Sequence, residues 1–536
     1  MTNPLLTLDR VSCVLPDGRI LFSAIDFLLD RRPVGLVGRN GVGKSFFARL
    51  LAGQIAPSAG RRSGTARVHY LPQQITPAPG ATVADLAGVA GALQALARIE
   101  NGGVEVEDFD AVAQRWDLRE RFAAALDAHG LGHLDARRPA ESLSGGELTR
   151  VALLGGWLAD ADVLVLDEPT NHLDRPQRLA LLRQLQDWRD GLLVVSHDRE
   201  LLDALPRIVE LSPAGLADFA GNYTFYARSR EAAQARALAE LARSRHALRR
   251  GEAEQRAQRE RQERRQSRGR RESRDANQAP ILLGLQKQRS EVSAGKSARL
   301  LQTQLEALTA RVAQAAGQVL DDPDLALFAP EPAAARRRAA VLEAVELPYG
   351  IAAGRPLDLI VAGGQRIGIV GANGSGKSSL LQLLAGRLAP TRGRCVVSVR
   401  TACLDQQVSL FDPARSVLEQ LLADDPVAGE AILRTRLALL GLDSDTVQRP
   451  GAALSGGERL KAALACALYR REPAELLLLD EPDNHLDLAA LAALEQMLRQ
   501  YRGALIVVSH DAVFLDRLAL DTRLTPTADG WRASVW

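Results

Sequence analysis

Cysteine, lysine, methionine and aromatic residues are all scarce in this 536-residue chain: four cysteines, five lysines, two methionines and 4% aromatics. Cys13, Cys395, Cys403 and Cys466 form no CxxC pair. That excludes a zinc ribbon, an iron–sulfur cluster and a disulfide framework, and makes a reducing cytosol the default compartment. No run of about 18 uncharged apolar residues exists, so no transmembrane helix is encoded. Met1–Arg10 carries Asp9 and lacks a long apolar stretch, so no secretory signal is expected. What is present is an ordinary globular mix, 46% hydrophobic and 25% charged, in a chain too long for one core.

The lysine shortage means that 62 of the 67 basic residues are arginine. With the abundant alanine this points to GC-rich coding, so arginine content alone is weak evidence for a nucleic-acid partner. Position is more telling. Residues 221–320 hold 21 Arg/Lys against 10 Asp/Glu, a net of +11, while the rest of the chain nets −9. The overall +2 therefore hides a basic middle between acidic flanks.

The flanks are two copies of one unit. GRNGVGKS (Gly38–Ser45) returns as GANGSGKS (Gly371–Ser378), LSGGE at Leu143 and Leu454, an apolar run ending in DEP at Pro169 and Pro482, NHLD at Asn171 and Asn484, and VVSHD at Val194 and Val507. Lys44 and Lys377 are 333 residues apart, Ser144 and Ser455 311, and Asp167/Asp480 and His197/His510 both 313. The copies stay in register except for about 22 extra residues in the first, around Ala95–Arg121. They bound a first domain at 1–220, a linker at 221–335 and a second domain at 336–536. The fold class is α/β: two phosphate-loop domains in tandem, joined by a long helical hairpin.

Each motif has a physical reading. A glycine-rich GxxxxGK[ST] turn between a buried strand (Pro33–Val37, Arg366–Val370) and a helix turns backbone N–H groups onto phosphate oxygens. This makes Gly38, Asn40, Gly41, Gly43 and Lys44, and Gly371, Asn373, Gly374, Gly376 and Lys377, the phosphate cradle. Lys44 and Lys377 neutralise the β/γ-phosphates, and Ser45 and Ser378 ligate Mg²⁺. A buried strand ending in Asp-Glu delivers carboxylates to the sheet's ligand-binding edge. There Asp167 and Asp480 hold Mg²⁺, while Glu168 and Glu481 polarise the attacking water. LSGGE opens a helix (Glu147–Leu158, Glu458–Leu468). Its Ser144 with Gly146, and Ser455 with Gly457, can cap that helix and still present donors to a γ-phosphate.

In this order the motifs resemble the ATP-binding cassette family over both copies. The resemblance implies that Gln73 (in YLPQQ) and Gln406 (in CLDQQ) reach Mg²⁺ and water, and that His197 and His510 contact the γ-phosphate. It also implies a head-to-tail sandwich burying two ATP molecules. One site joins Lys44 and Glu168 with Ser455; the other joins Lys377 and Glu481 with Ser144. Two departures stand out. Val14–Asp17 occupies the stretch where an adenine-stacking aromatic is usual, with Tyr349 the candidate in copy two. Copy two also reads DEPD, with Asp483, where copy one reads DEPT. Phe46–Phe47 after the first phosphate loop reads as packing.

The linker separates subfamilies. From Arg243 to Arg274 there are 13 arginines against five glutamates. Asp275–Gly284 reads as a turn. Leu301, Leu305, Leu308, Val312, Ala315 and Val319 then alternate by four and three, a coiled-coil seam. This predicts an antiparallel hairpin with a charged tip near 260–295. Arg261, Arg264, Arg265, Arg268, Arg270, Arg271 and Arg274 are the candidate RNA contacts, since arginine clusters gain from phosphate neutralisation. Tandem cassettes joined by such a linker after GNY resemble the ABC-F proteins. The resemblance implies a cytoplasmic, monomeric, ATP- and Mg²⁺-dependent ATPase that binds the ribosome and reaches the peptidyl tRNA. An arm between Q-loop and signature would here be short, and no coiled-coil domain is expected after His510. Two other readings stay open: a tandem ATPase energising a membrane transporter, and a structured-DNA-binding ATPase.

Overall fold

Strands Val34–Val37, Val163–Asp167 and Gly191–Val195 have every residue buried, the mark of parallel strands covered on both faces. In the computed structural model they lie at the middle of a six-stranded sheet. The structure describes residues 4–113, 115–171, 173–275, 299–300, 302–317, 338–405, 411–484 and 486–536. Met1–Tyr223 with Pro323–Trp536 form one compact unit, and Thr224–Asp322 a second.

The first copy orders its sheet Val68–Leu71, Val163–Asp167, Gly191–Val195, Val34–Val37, Arg207–Ser212, Gly215–Phe219. Neighbours run parallel except for the last pair. The second copy repeats this order with Thr401–Leu404, Leu476–Asp480, Ala504–Val508, Arg366–Ile369, Thr522–Thr527 and Gly530–Val535. Each copy adds a three-stranded antiparallel sheet, centred on Leu6–Val14 in one and Ala340–Glu346 in the other. A core between the two sheets holds the phosphate-loop helix. In copy one Phe47 is fully buried there, edge-on to Phe22 and Phe27. Burying such a ring is worth roughly 1.5–3 kcal/mol.

The signature helices begin two residues earlier than the sequence suggests, at Gly145 and Gly456, because Ser144 and Ser455 are the capping residues themselves. The surplus of copy one forms two helices, Ala90–Glu100 and Val106–Val112. In copy two Val417–Asp424 is followed directly by Glu430–Leu439. The extra pair closes on a small core of Ala95, Leu96 and Val112, with Arg98 paired to the buried Asp108. The short arm is thus a folded helical hairpin.

The second unit carries a 53-residue helix, Tyr223–Asp275, whose first residue belongs to the other unit, and a helix over 302–317. Arg311 reaches Glu240 at 2.8 Å, while Leu305 and Leu308 lie over Gly251. Numbers rise on one helix as they fall on the other, so the pair is antiparallel. Ala237, Leu241, Ser244, Leu248 and Gly251 form the less exposed stripe, spaced by four and three, and Leu305, Leu308, Val312 and Ala315 answer it. A Cβ on Gly251 would stand 3.0 Å from Leu308, so small residues on one helix make room for large ones on the other. Leu301, Val319 and residues 276–298 of the expected turn and tip lie outside the described residues. Among the described residues no helix is long and apolar enough to cross a membrane.

Candidate functional site

The site begins with strand register. Val163–Asp167 and Gly191–Val195 pair in parallel with Asp167 opposite Val195. The Asp-Glu that ends one strand therefore stands beside the Ser-His-Asp that follows the other. Glu168 N–H donates to the Val195 carbonyl at 2.8 Å, and Glu481 N–H to Val508 at 2.9 Å. Both glutamates adopt φ near +50°, a left-handed conformation unusual for a residue with a side chain. The same strain twice, at the same motif, marks a fixed carboxylate position. Asp198 and Asp511 cap the helices that follow, accepting from Leu201 and Phe514 N–H, which fixes the preceding histidines. His197 Nε2 lies 3.5 Å from Glu168, and His510 Nε2 3.4 Å from Glu481.

The phosphate loops are closed by their own lysines. Lys44 Nζ donates to Gly38 O at 2.8 Å and Arg39 O at 3.2 Å; Lys377 donates to Gly371 O and Ala372 O, both at 2.8 Å. Burial lowers both lysines, against the pull of Glu168 on one and Glu481 on the other. Gly43 and Gly376 stand at the helix N-caps with left-handed φ, as do Gly41 and Gly374 in the loops. Gly38 is the tightest position: at φ +154° a Cβ would meet the Leu211 carbonyl oxygen at 2.4 Å. Gly38→Ala is expected to destabilise the loop by ~2–3 kcal/mol and to cut nucleotide binding at least tenfold. Gly41→Ala, strained in φ but open to space, should cost only ~1 kcal/mol. Calorimetric ATP titration and thermal melts of the two variants check this.

The residues fit a divalent cation bound with phosphate. Asp167 Oδ1 and Asp480 Oδ1 are buried and, among the described residues, have no hydrogen-bond partner. The Ser45 and Ser378 hydroxyls bond to those same carboxyls, which burial pushes above their usual range. Among the described residues no group of three or more His, Cys, Asp or Glu could hold a metal by itself. A hard cation there takes oxygen ligands, which the Gln73 side chain, a bound nucleotide and water can supply.

Each cassette completes the other's loop. Asn40 N–H donates to Asp487 of the second copy at 2.8 Å, and Asn373 N–H to Asp174 of the first at 3.4 Å. A cleft of about 470 Å³ gathers Lys44, Ser45, Gln73, Asp167, Glu168 and His197 of the first copy, together with Gly456 and Asn484 of the second. The second signature is therefore brought to the first phosphate loop. Ser144 and Ser455 both form capping boxes with the glutamate three residues on, as their motif suggests. Gln406 lies outside the described residues. Asp174 and Asp487 were not among the sequence candidates, although the repeated NHLD was the signal for them. Arg19, Leu21 and Phe46 also line the cleft. Tyr349 is largely exposed, with its carbonyl 2.9 Å from where a Cβ on Gly376 would stand.

The two sites differ electrostatically. Burial lifts the Glu168 carboxyl to about 8, against the pull of Lys44. Burial acts on Glu481 too, but the bond and charge of His510, the Lys377 ammonium and the Asn484 amide at 2.7 Å hold it below its usual range. Burial and Lys44 keep His197 neutral. Asp483 is pushed up to about 7 by burial and by Asp511. Of the linker arginines, Arg261 and Arg264 are exposed on the long helix; the side chains of Arg265, Arg268, Arg270, Arg271 and Arg274 lie outside the described set.

Residues 28–171 and 355–484 match the ABC transporter family. The chain is 30% identical over 499 residues to the probable ATP-binding protein YheS of Escherichia coli K12, covering 89% of this chain and 72% of that one. It is 31% identical over 532 residues to the tylosin resistance ATP-binding protein TlrC of Streptomyces fradiae, covering 92% of both. Its fold is similar to that of the archaeal ribosome recycling factor aABCE1, crystallised with the ribosomal stalk protein aP1. The TM-score is 0.60 at 20% identity, covering 98% of this chain and 89% of that one. Matched motifs, paired sites and relatives agree: the chain belongs to the ATP-binding cassette family, as a tandem-cassette ATPase of the ABC-F type.

Proposed function

We propose that this ATPase works on the ribosome as a translation factor. In this reading ATP closes the first cassette (1–220) on the second (336–536), the basic linker (221–335) reaches toward the peptidyl tRNA, and hydrolysis releases the protein. It acts in the cytoplasm as a monomer. The observation that carries the reading is the linker: a net of +11 over residues 221–320, of which the 53-residue helix Tyr223–Asp275 holds +8, against a net of −9 in the rest of the chain. A transporter energiser has no use for a long basic hairpin between its halves, whereas an RNA surface gains from each neutralised phosphate. Relatives named for ATP binding and tylosin resistance, and a fold neighbour named as a ribosome recycling factor, support the same direction.

In the chemistry we propose, Lys44 and Lys377 hold the β/γ-phosphates, and Ser455 and Ser144 cap the γ-phosphate from the opposite cassette. Glu168 and Glu481 accept the proton of the attacking water, and His197 and His510 contact the γ-phosphate. Ser45, Asp167 and Gln73 would hold Mg²⁺ in one site, and Ser378, Asp480 and Gln406 in the other. When bound, it supplies charge neutralisation on the phosphate oxygens.

The test is co-sedimentation. Glu168→Gln with Glu481→Gln, given ATP, should travel with ribosomes and stay there. Sedimentation free of ribosomes in both low and moderate salt would sink the reading, and co-fractionation with membranes would favour a transporter partner. Replacing the seven linker arginines from Arg261 to Arg274 with Gln should weaken ribosome association at least tenfold and flatten its salt dependence, with basal ATPase unchanged.

A further inference from the structure

The repeat suggests that the two halves should meet symmetrically, yet the charges at their contact are not symmetric. Arg199, immediately after the first Ser-His-Asp, is buried and paired with Glu495, itself buried on helix Leu488–Gln500 of the second copy. Arg517 reaches the other oxygen of Glu495 at 3.1 Å, and Arg199 also bonds to the Tyr223 hydroxyl. The register of 313 residues gives the equivalent of each group. Arg199 corresponds to Ala512, Glu495 to Leu182, and Arg517 to Ala204. Arg178, which lies 3.5 Å from Asp198 and near Asp483 and Asp511, corresponds to Leu491. Asp483 corresponds to Thr170. The first cassette thus brings two cations to the contact, and the second brings two carboxyls, Glu495 and Asp483, with one cation, Arg517, on Glu495. The pseudo-symmetric contact would pair only Ala512 with Leu182.

A buried arginine without its carboxylate is strongly unfavourable, and so is the reverse. Two first cassettes facing each other would place Arg199 against Leu182. Two second cassettes would place Glu495 against Ala512, leaving it only the half-exposed Arg517 of its own cassette. We propose that the Arg199–Glu495–Arg517 cluster, backed by Arg178 and Asp483, is a pairing key. It is satisfied only when a first cassette meets a second cassette, and it rejects like-with-like pairing between copies of this chain. The partner this surface fits is its unlike half, recognised by charge rather than by shape, since the repeat makes the shapes alike.

Full-length charge reversals test the key. Arg199→Glu places two carboxylates together, and Glu495→Arg gathers three guanidinium groups. Each alone is expected to lose ATPase at least tenfold. The two in one chain restore a complementary pair; Arg517, half exposed, can turn to solvent, and Tyr223 can donate to the new carboxylate. That chain should recover to within about threefold of the parent. Mixing equal amounts of the two single variants makes the sharper test. Exchange of halves between chains satisfies both contacts at once, so a 1:1 dimer should appear in native mass measurements with ATP, carrying at least fivefold more activity than either variant apart. Full activity of either single variant overturns the key, as does failure of a mixture of folded single variants to dimerise. Circular dichroism reports whether the single variants fold. If they do not, the double reversal decides: within threefold of parent activity supports the key, and an unfolded or inactive double reversal overturns it.

Discussion

Replacing both strained glutamates, Glu168→Gln with Glu481→Gln, is expected to lower ATP turnover by about 10²–10⁴-fold while leaving nucleotide binding intact. The amide keeps the volume and the left-handed backbone, so the loop geometry survives. It cannot accept the proton of the attacking water. Each glutamate is tied through its N–H to the strand that leads to His197 or His510, which fixes its carboxyl beside that histidine. Steady-state phosphate release alongside ATP-binding isotherms checks the prediction, and a parallel loss of binding would refute it.

The single variants should not be equivalent. Asn484 and His510 stabilise the ionised form of Glu481, whereas among the described residues no side-chain amide bonds Glu168. With its carboxyl lifted to about 8 by burial, Glu168 is mostly protonated at neutral pH and becomes a competent base only as the pH rises. Glu481→Gln is therefore expected to remove most of the turnover at pH 7, and Glu168→Gln the smaller share. The residual activity of Glu481→Gln should climb between pH 7 and 9. Equal losses at pH 7 would show that closure on nucleotide equalises the two carboxyls.

Much of this site was legible because each motif is local. A glycine at left-handed φ, a capping serine and a carboxylate at a strand end each state their own geometry within a few residues, and two copies in register remove chance. Even the hairpin seam from Leu305 to Ala315 could be read, because its spacing is a property of one helix. What could not be read were relations between the copies. Asp487 on the Asn40 amide and Glu495 on Arg199 join residues 447 and 296 positions apart, and no periodicity encodes such contacts. The extra 22 residues were countable, but their fold was not. The Arg98–Asp108 pair and a three-residue core decide it, and those depend on how two short helices meet. The asymmetry of the Glu168 and Glu481 carboxyls was equally hidden, since both copies spell Asp-Glu-Pro and differ only in what surrounds it.

Asp483 is where one of those surroundings should dominate stability. It is partly buried at the cleft near Asp511, with Arg178 as the nearby countercharge, and its carboxyl is pushed up to about 7, first by burial and then by Asp511. A carboxyl with an ordinary value near 4 in the unfolded chain binds its proton more tightly in the native state. Between about pH 4 and 7 the folded protein is then the better proton binder, so stability falls as pH rises through that window and levels off above it. The full penalty at pH 8 is on the order of a few kcal/mol. Asp483→Asn keeps the shape and removes the charge, so it should be more stable than the parent at pH 8, with the gap reduced to about a third at pH 5 and closing below about pH 4. Asp483→Thr, the residue that copy one carries at Thr170, should behave the same way. Thermal melts across pH 5–8 test this, with the difference between parent and variant growing from pH 5 to about 7 and flattening above it. A constant difference across the range would mean that Asp483 stays ionised throughout, its charge fully balanced by Arg178.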